Sequence, residues 1–253
     1  MTDKDVSTRR PGAKGEPDRL HERPTLPKPG ALIPATDPSG VLRLCDRKLI
    51  NVLLAFSWNA VVKNDGPYSI AAIRLREAMG QVTQHKNAEL RQSLSRLRST
   101  PVQITLAGQT AMLPLLADYD LPRGATQLTW TFPPQVLQAM RMPTPWSKLN
   151  LDVCARLRRK ASLILYEVLA AYPDRKYQKA IYEPDQLKEV LSLPPGSYRD
   201  WTDLWSRAVG PAVRDINALA DFQVRAYPAK NRGSRRVVSV TLHCTRLGNK
   251  NGR

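Results

Sequence analysis

Cationic side chains recur at helical spacing in the second half of the chain. Arg199, Arg207 and Arg214 lie seven or eight residues apart, about two turns of an α-helix, so their guanidinium groups would project along one line. Apolar residues between Trp201 and Ile216 would form the opposite face, which is typical of a helix packed on a core. A guanidinium can bind a guanine edge through two hydrogen bonds, or it can bind a phosphate. A solvated basic surface would give the same pattern.

A cationic turn follows this helix. Lys230-Asn231-Arg232-Gly233-Ser234-Arg235-Arg236 joins two segments with strand-like patterns, 222–227 and 237–244, which predicts a β-hairpin. A helix followed by a basic hairpin is typical of winged-helix proteins that bind duplex DNA, with the helix in the major groove and the hairpin along the phosphates. The predicted DNA contacts in this half are Arg199, Thr202, Ser206, Arg207, Arg214, Arg225, Lys230, Asn231, Arg232, Arg235 and Arg236.

The first half carries a weaker version of the same pattern. Its apolar periodicity predicts helices over about 49–62, 70–79 and 86–97, followed by strands over 102–107, 112–117 and 127–132. A loop at 118–125 would be the wing, and because it contains two acidic residues we expect backbone or dimer contacts more than base reading. The predicted contacts here are Lys86, Asn87, Arg91 and Arg98.

Prolines divide the chain. Residues 1–40 are rich in Pro, Gly and charge, which predicts a disordered tail, and Pro143-Thr144-Pro145 predicts a boundary. Beyond it, a helix over about 151–171, a second over 184–191, the helix over 199–217 and the hairpin repeat the order of the first half. We therefore predict an α+β fold with two tandem winged-helix domains, 41–143 and 144–246, after the disordered tail and before a flexible C-terminus, 247–253.

Charge and composition restrict the classes of partner. The formal net charge is +17, and residues 145–253 carry 20 basic and 10 acidic side chains, so nucleic acid is the expected partner. No apolar run approaches the ~20 residues that span a bilayer, and no signal-peptide core is present, so we expect no membrane contact. Cys45, Cys154 and Cys244 are far apart and predict buried thiols in a reducing cytoplasm.

Residues for catalysis are scarce. The three histidines are scattered, so no His-x-His pair could hold a metal for DNA nicking, and no GxxxxGK[ST] loop could bind a nucleotide phosphate. The acids Asp200, Asp203 and Asp215 are explained by helix capping and salt bridges. We expect no enzymatic activity, no metal site and no cofactor.

Several motifs, taken in their order along the chain, resemble those of the iteron-binding plasmid replication initiators, over roughly residues 41–246. The strongest is 161–169, ASLILYEVL, which is similar to the family's "rLYelL" helix. Next comes Tyr198-x-x-Trp201-x-x-x-Trp205, running on to 212–217, AVRDIN, before a strand, a basic turn and a second strand. The first half shows 47–54, RKLINVLL, and Leu94-x-x-Leu97-x-x-Thr100.

The resemblance implies a bacterial, cytoplasmic initiator that binds tandem repeats (iterons) in a plasmid origin, promotes opening of the origin and recruits host replication proteins, namely the helicase or its loader and the host initiator. It further implies a homodimer in equilibrium with a monomer, with possible autorepression by the dimer. Finally, it implies that the second domain reads bases, while the first contacts the DNA backbone and mediates dimerisation.

Three other functions stay open from the residues alone. A winged-helix transcriptional repressor would bind a palindrome near a promoter, whereas an initiator would bind several direct repeats. A rolling-circle nicking enzyme would cleave DNA with a metal, which the scattered histidines disfavour. A general RNA-binding protein would not discriminate between duplex sequences.

Overall fold

The computed structural model of the chain describes residues 25–81, 87–142, 146–173, 178–231, 233 and 236–247. The elements of the first half are β1 (Thr25–Pro29), a 3-10 turn (Gly30–Leu32), α1 (Leu44–Val61), β2 (Tyr68–Ala71), α2 (Ala72–Ala78), α3 (Asn87–Ser99), β3 (Pro101–Leu106), β4 (Gln109–Pro114), β5 (Asp118–Asp120), β6 (Gln127–Thr131) and α4 (Pro134–Arg141). Those of the second half are β7 (Trp146–Asn150), α5 (Leu151–Arg156), α6 (Lys160–Leu169), β8 (Lys179–Tyr182), α7 (Pro184–Val190), α8 (Trp201–Leu204), a π-helical turn (Trp205–Val209), α9 (Gly210–Leu219), β9 (Phe222–Lys230) and β10 (Val237–Arg246).

The same sheet topology occurs in both halves. One three-stranded sheet has the order β2-β6-β5 and the other the order β8-β10-β9, so in each the last strand lies in the middle. Each sheet accompanies three helical elements: α1, α2 and α3 in the first half, and α6, α7 and α8–α9 in the second. This is a winged helix present twice, and the predicted α+β class with two tandem winged-helix domains is confirmed.

The N-terminal segment differs from its prediction as a tail. Residues 1–24 lie outside the described part, but for residues 25–40 the prediction is wrong. β1 pairs antiparallel with β7, with Leu26 opposite Leu149, and both of these leucines are fully buried. Prolines are tolerated because β1 is the edge of a two-stranded sheet, where a missing N–H need not break a ladder.

A carboxylate organises the chain between β1 and α1. Asp37 is 1% exposed, and its side chain accepts hydrogen bonds from the backbone N–H groups of Ser39, Gly40 and Leu42, at 2.7–3.1 Å. This turn delivers the chain into α1. The Pro-rich composition predicts disorder here, but hydrogen bonds from the backbone to the Asp37 side chain order this connection.

The predicted helix over 151–171 is two helices. α5 ends at Arg156, Leu157 is fully buried with extended backbone, and α6 starts at Lys160. Every residue from Ala161 to Leu169 is buried, because α6 packs on α1 as well as on α9. The break was missed because apolar residues continue at helical spacing through Leu157, from Val153 to Ala161.

The first domain carries a second hairpin. Among the named strands, β3 and β4 pair only with each other. They form a separate hairpin that lies in sequence between α3 and the strands β5 and β6 of the three-stranded sheet. The predicted wing loop at 118–125 is shorter than expected, because residues 118–120 form β5, which pairs with β6. Three residues are too few to show strand alternation in a sequence.

Buried hydrogen bonds connect the two domains. Arg47 on α1 donates through Nη2 to the carbonyl of Ala35 and to the hydroxyl of Ser192, at 3.2 and 2.9 Å. Lys160 at the start of α6 adds a partly buried bond between the halves, since it donates to the Gly40 carbonyl at 3.5 Å as well as to the Ser192 carbonyl at 3.0 Å. Over the described ranges, no helix is both long and apolar enough to cross a membrane.

Candidate nucleic-acid interface

The helix α8–α9 begins at Trp201, two residues later than the sequence pattern predicts. Arg199 lies before the helix, and Asp200 is the N-cap, whose carboxylate accepts the backbone N–H of Asp203 at 2.9 Å. This bond satisfies a donor that the first turn leaves free. Asp200 therefore acts as a cap, as its predicted role requires.

A π-helical turn lies in the middle of this helix. Pro211 has no N–H to donate, and the N–H of Gly210 bonds to the carbonyl of Trp205, five residues back. A Cβ on Gly210 would lie 2.7 Å from that carbonyl oxygen, so only glycine fits there. This turn therefore contains one residue more than an α-helical turn. It joins α8 to α9 in a single rod.

The two faces of the rod are arranged as the sequence pattern predicts. Leu204, Ala208 and Ile216 are buried against the core, while Trp201 and Trp205 are half-buried with ring centroids 5.6 Å apart. The outer face exposes polar and cationic side chains that no other described element covers. They are Thr202, Ser206, Arg207 and Arg214.

A groove of about 820 Å³ lies between the start of α8, α7 and the hairpin of β9 and β10. It brings together residues from three separate elements, although more than 30 positions separate Arg199 from Arg236 in sequence. Five of the predicted contacts line it: Arg199, Thr202, Lys230, Asn231 and Arg236. A helix N-terminus and a cationic wing thus converge on one groove, and cationic side chains are the groups that bind phosphates.

Acidic side chains also line the groove, and each is engaged within the protein. Asp185 accepts a hydrogen bond from Lys188 at 2.9 Å, and this bond, with the nearby charges of Lys188 and Arg236, lowers the pKa of Asp185. Glu183 is the N-cap of α7, and Asp200 caps α8. Sequence reasoning did not single out Lys188. The sequence signal for Lys188 was its i,i+3 spacing from Asp185, which indicates an ion pair on the helix before the predicted DNA-reading helix.

Arg207 has an acidic neighbour on its own helix. Its Nε lies 2.9 Å from a carboxylate oxygen of Asp203, and the Arg207 side chain is 72% exposed. An exposed i,i+4 pair of this kind contributes only about 0.3–0.5 kcal/mol, so a stronger anion could displace the carboxylate. Arg207 is thus exposed on the outer face, and its ion pair with Asp203 is weak.

Arg225 lies apart from the groove. It is exposed on the outer face of the sheet, opposite His243 on β10, which in turn is opposite Lys179 on β8. This row is cationic, but it belongs to the sheet surface and does not line the groove described above.

The contacts predicted in the first domain are not brought together. Asn87 accepts a hydrogen bond from Arg76 and donates one to the carbonyl of Ala125 at 2.9 Å, so it joins α2, α3 and the first wing. Arg98 pairs with Asp118 at 3.1 Å and lies over the Tyr119 ring, with its guanidinium carbon 5.2 Å from the ring centroid. Arg91 is half-buried on α3. Lys86, Arg232 and Arg235 lie outside the described residues.

Within the described ranges, no group of three or more His, Cys, Asp or Glu residues could hold a metal ion. Cys154 and Cys244 are buried, and burial raises the pKa of each thiol, for Cys244 to about 12. These two thiols are therefore protonated at neutral pH and chemically quiet.

Comparison with protein families identifies both domains. Residues 31–170 match the family described as "Initiator Replication protein, WH1", and residues 183–244 match the one described as "Initiator Rep protein, WH2". The chain belongs to the replication initiator family. The resemblance read from its motifs is confirmed.

A solved initiator shares the fold. The chain is similar to the protein in the crystal structure of Pi initiator protein in complex with iteron DNA, with a TM-score of 0.67 and 14% identity, over 90% of this chain and 99% of that chain. At that identity the likeness establishes the arrangement of elements only. No curated protein matches the initiator.

Proposed function

We propose that this initiator binds tandem repeats in a plasmid origin as sequence-specific double-stranded DNA. The observation that carries the proposal is one groove lined by Arg199 and Thr202, at the start of the helix, and by residues of the wing. The wing residues are Lys230, Asn231 and Arg236. Family membership and the fold shared with the Pi initiator, whose structure contains iteron DNA, support it.

The second domain reads bases in this proposal. The outer face of α8–α9 enters the major groove and presents Thr202, Ser206 and Arg207, while the wing cations bind phosphates on the flanking strand. Arg214 lies further along the same face and is assigned to a phosphate. Arg225 is assigned to the same general electrostatic attraction, because it lies on the sheet surface.

The first domain contacts the DNA backbone and mediates dimerisation. Its candidate contact is Arg91, because Asn87 and Arg98 hold the domain together and act by positioning α3 and the sheet. For dimerisation, β4 offers an edge: its residues 109–112 are exposed, and the strand pairs only with β3 among the named strands. The domain limits of 41–143 and 144–246 stay part of this proposal.

Binding at several repeats would bend and strain the neighbouring AT-rich segment and so promote opening of the origin. The initiator would then recruit the host helicase or its loader and the host initiator, in the bacterial cytoplasm. A dimer would repress its own gene. No enzymatic activity and no cofactor are part of this proposal.

Footprinting of the purified full chain on its own origin tests the proposal. We expect protection of several direct repeats at about 0.15 M salt, and loss of binding when the repeats are scrambled. Equal affinity for repeats and scrambled duplex would overturn the proposal. A single protected palindrome at a promoter, with no repeats bound, would favour the transcriptional repressor instead.

A further inference from the structure

A second cationic cleft, of about 600 Å³, lies between the two domains and away from the first groove. Its walls come from α1 and the end of α2 on one side, and from the α5–α6 connection and the end of α9 on the other. The lining residues that matter here are Lys48, Arg156, Arg158, Arg159 and Asp215. None of the cations among them belongs to the contacts assigned above.

Positive charge dominates this cleft. Among the described residues that line it, Asp215 is the only acid. Its carboxylate is already bound by Arg159, at 2.7 and 2.8 Å, and by the hydroxyl of Ser162, at 2.7 Å. Arg156 and Arg158 are exposed, and within the described part of the chain neither forms an ion pair. The cleft therefore carries cations without a protein counter-charge.

Lys48 adds a further charge to the wall. Its ammonium donates a hydrogen bond to the carbonyl of Ala155. Burial lowers the pKa of Lys48, and the positive charge of Arg158 lowers it further. A negative charge bound in the cleft would favour the protonated ammonium and so oppose this lowering of the pKa.

The walls of the cleft are in close contact. Gly80, at the end of α2, has a φ of +74°, and a Cβ placed on it would lie 3.0 Å from the carbonyl oxygen of Ala155. Backbone meets backbone here, so the cleft is a fixed junction between the domains.

The position of the cleft follows from the helices that border it. The exposed strip of α8–α9 runs from Thr202 through Arg207 and Arg214 to Ala218, and Ala218 lines the cleft. On the opposite wall, Gly80 begins the connection to α3, the helix that corresponds to α8–α9 in the first domain. The cleft thus lies between two helix–turn–helix units, α2–α3 of the first domain and α7 to α9 of the second.

We propose that this cleft is a third DNA-contact surface, in which Arg156 and Arg158 bind backbone phosphates of the duplex segment between the two major grooves that the domains enter. The inference rests on the proposed function. Two recognition helices on one face of a duplex lie about one helical turn apart, so a run of phosphates must pass between them. A cationic cleft between the units is where those phosphates would lie, and such contacts position the protein without reading sequence.

The test is the double variant Arg156→Ala/Arg158→Ala, compared with Lys63→Ala, which removes an exposed charge from the turn after α1. Hydroxyl-radical footprinting on a single repeat should show lost protection only in the segment between the two major-groove zones. Affinity for repeats and for random duplex should fall by the same factor. The slope of log K against log salt should become smaller by about 1.8, from two phosphate contacts. Arg156→Lys/Arg158→Lys should retain most of the slope, and Lys63→Ala should leave the footprint unchanged.

The outcomes separate the two proposals. If the unmodified chain does not distinguish repeats from scrambled duplex, the proposed function fails. If it does distinguish them and the double variant keeps the footprint and the salt slope, the cleft proposal alone is overturned. A loss of base preference in the double variant would also overturn it, because phosphate contacts carry no sequence information.

Discussion

Lys28 and Glu167 form a buried ion pair across 139 residues of sequence, with 2.8 Å between Nζ and Oε2. Asn51 closes the cluster, since its carbonyl oxygen accepts from Lys28 at 2.9 Å and its amide donates to Glu167 at 2.6 Å. The three residues lie on β1, α6 and α1 respectively. One polar cluster therefore ties the N-terminal strand to the central helices of both domains.

Breaking this cluster should destabilise the whole chain. Glu167→Ala leaves the Lys28 ammonium, whose side chain is 4% exposed, without a counter-charge, so we expect a loss of about 3–5 kcal/mol in the free energy of unfolding. The measurement is urea denaturation at neutral pH. Asp185→Ala is the matched control, because it removes an acid whose side chain is 75% exposed from a pair with Lys188, and should change stability by at most about 1 kcal/mol. A similar small change in both variants would contradict the prediction.

Asp46 should make stability depend on acid pH. Burial opposes ionisation of this carboxyl, but hydrogen bonds from Arg96 at 2.7 and 2.8 Å, and from the Arg43 N–H at 2.8 Å, outweigh burial and lower its pKa. A depressed pKa in the folded state stabilises the fold above the unfolded value of 3.8, and that contribution is lost as the pH falls through the folded value.

Urea denaturation between pH 7 and pH 3 measures this effect. Asp46→Asn should be less stable than the unmodified chain at pH 7, and the difference should shrink below about pH 4. Asp152→Asn, at an exposed position in the first turn of α5, should differ from the unmodified chain at pH 7 by at most about 1 kcal/mol. A constant difference between Asp46→Asn and the unmodified chain across this range would rule out the carboxylate as the cause.

Sequence patterns predicted those elements that have one apolar face. In α3, Leu90, Leu94 and Leu97 are buried at helical spacing within the helix predicted over about 86–97. In β10, Val240 and Leu242 are buried at strand spacing within the strand predicted over 237–244. The same reasoning missed the start of α6, because apolar residues continue at helical spacing through Leu157, where α5 has ended. It also missed β1, whose fold depends on pairing with β7 more than 100 residues away.

The sequence predicted which types of residue form the candidate interface, but it predicted only some of their positions in the fold. Arg199 and Lys230 meet in one groove, because helix and hairpin are adjacent in sequence and the motif fixes their geometry. Asn87 and Arg98 were chosen by the same charge pattern, yet both bind within the first domain. Sequence spacing shows that a cation is on an outer face, but it does not show which acid or carbonyl the fold brings beside it.

The π-helical turn should be intolerant of a single methyl group. Gly210→Ala places a Cβ 2.7 Å from the carbonyl oxygen of Trp205, a backbone atom that cannot move alone, so we expect a loss of about 1–3 kcal/mol in the free energy of unfolding. The contact of Trp201 with Trp205, at 5.6 Å, should change with it, which near-ultraviolet circular dichroism reports. Gly196→Ala is the control: at a φ of +74° with open space around the Cβ, it should destabilise without altering the tryptophan signal. An unchanged tryptophan signal in Gly210→Ala would show that the turn accommodates the methyl group.

Arg207 and Lys230 should affect DNA binding in different ways. Arg207 lies on the outer face of the helix, so Arg207→Ala should weaken repeat binding by about 1–3 kcal/mol and relax the base preference. Lys230→Ala removes a wing cation from the groove, and should weaken repeats and random duplex alike and reduce the salt slope by about 0.9. Fluorescence anisotropy on repeat, single-substituted repeat and random duplexes, over a salt series, measures both.

Asp203→Asn frees Arg207 from its carboxylate and removes a negative charge near the DNA, so it should tighten binding modestly. Equal losses on repeat and random duplex for Arg207→Ala would show that Arg207 binds phosphate, and base reading would then have to be assigned to Thr202 and Ser206.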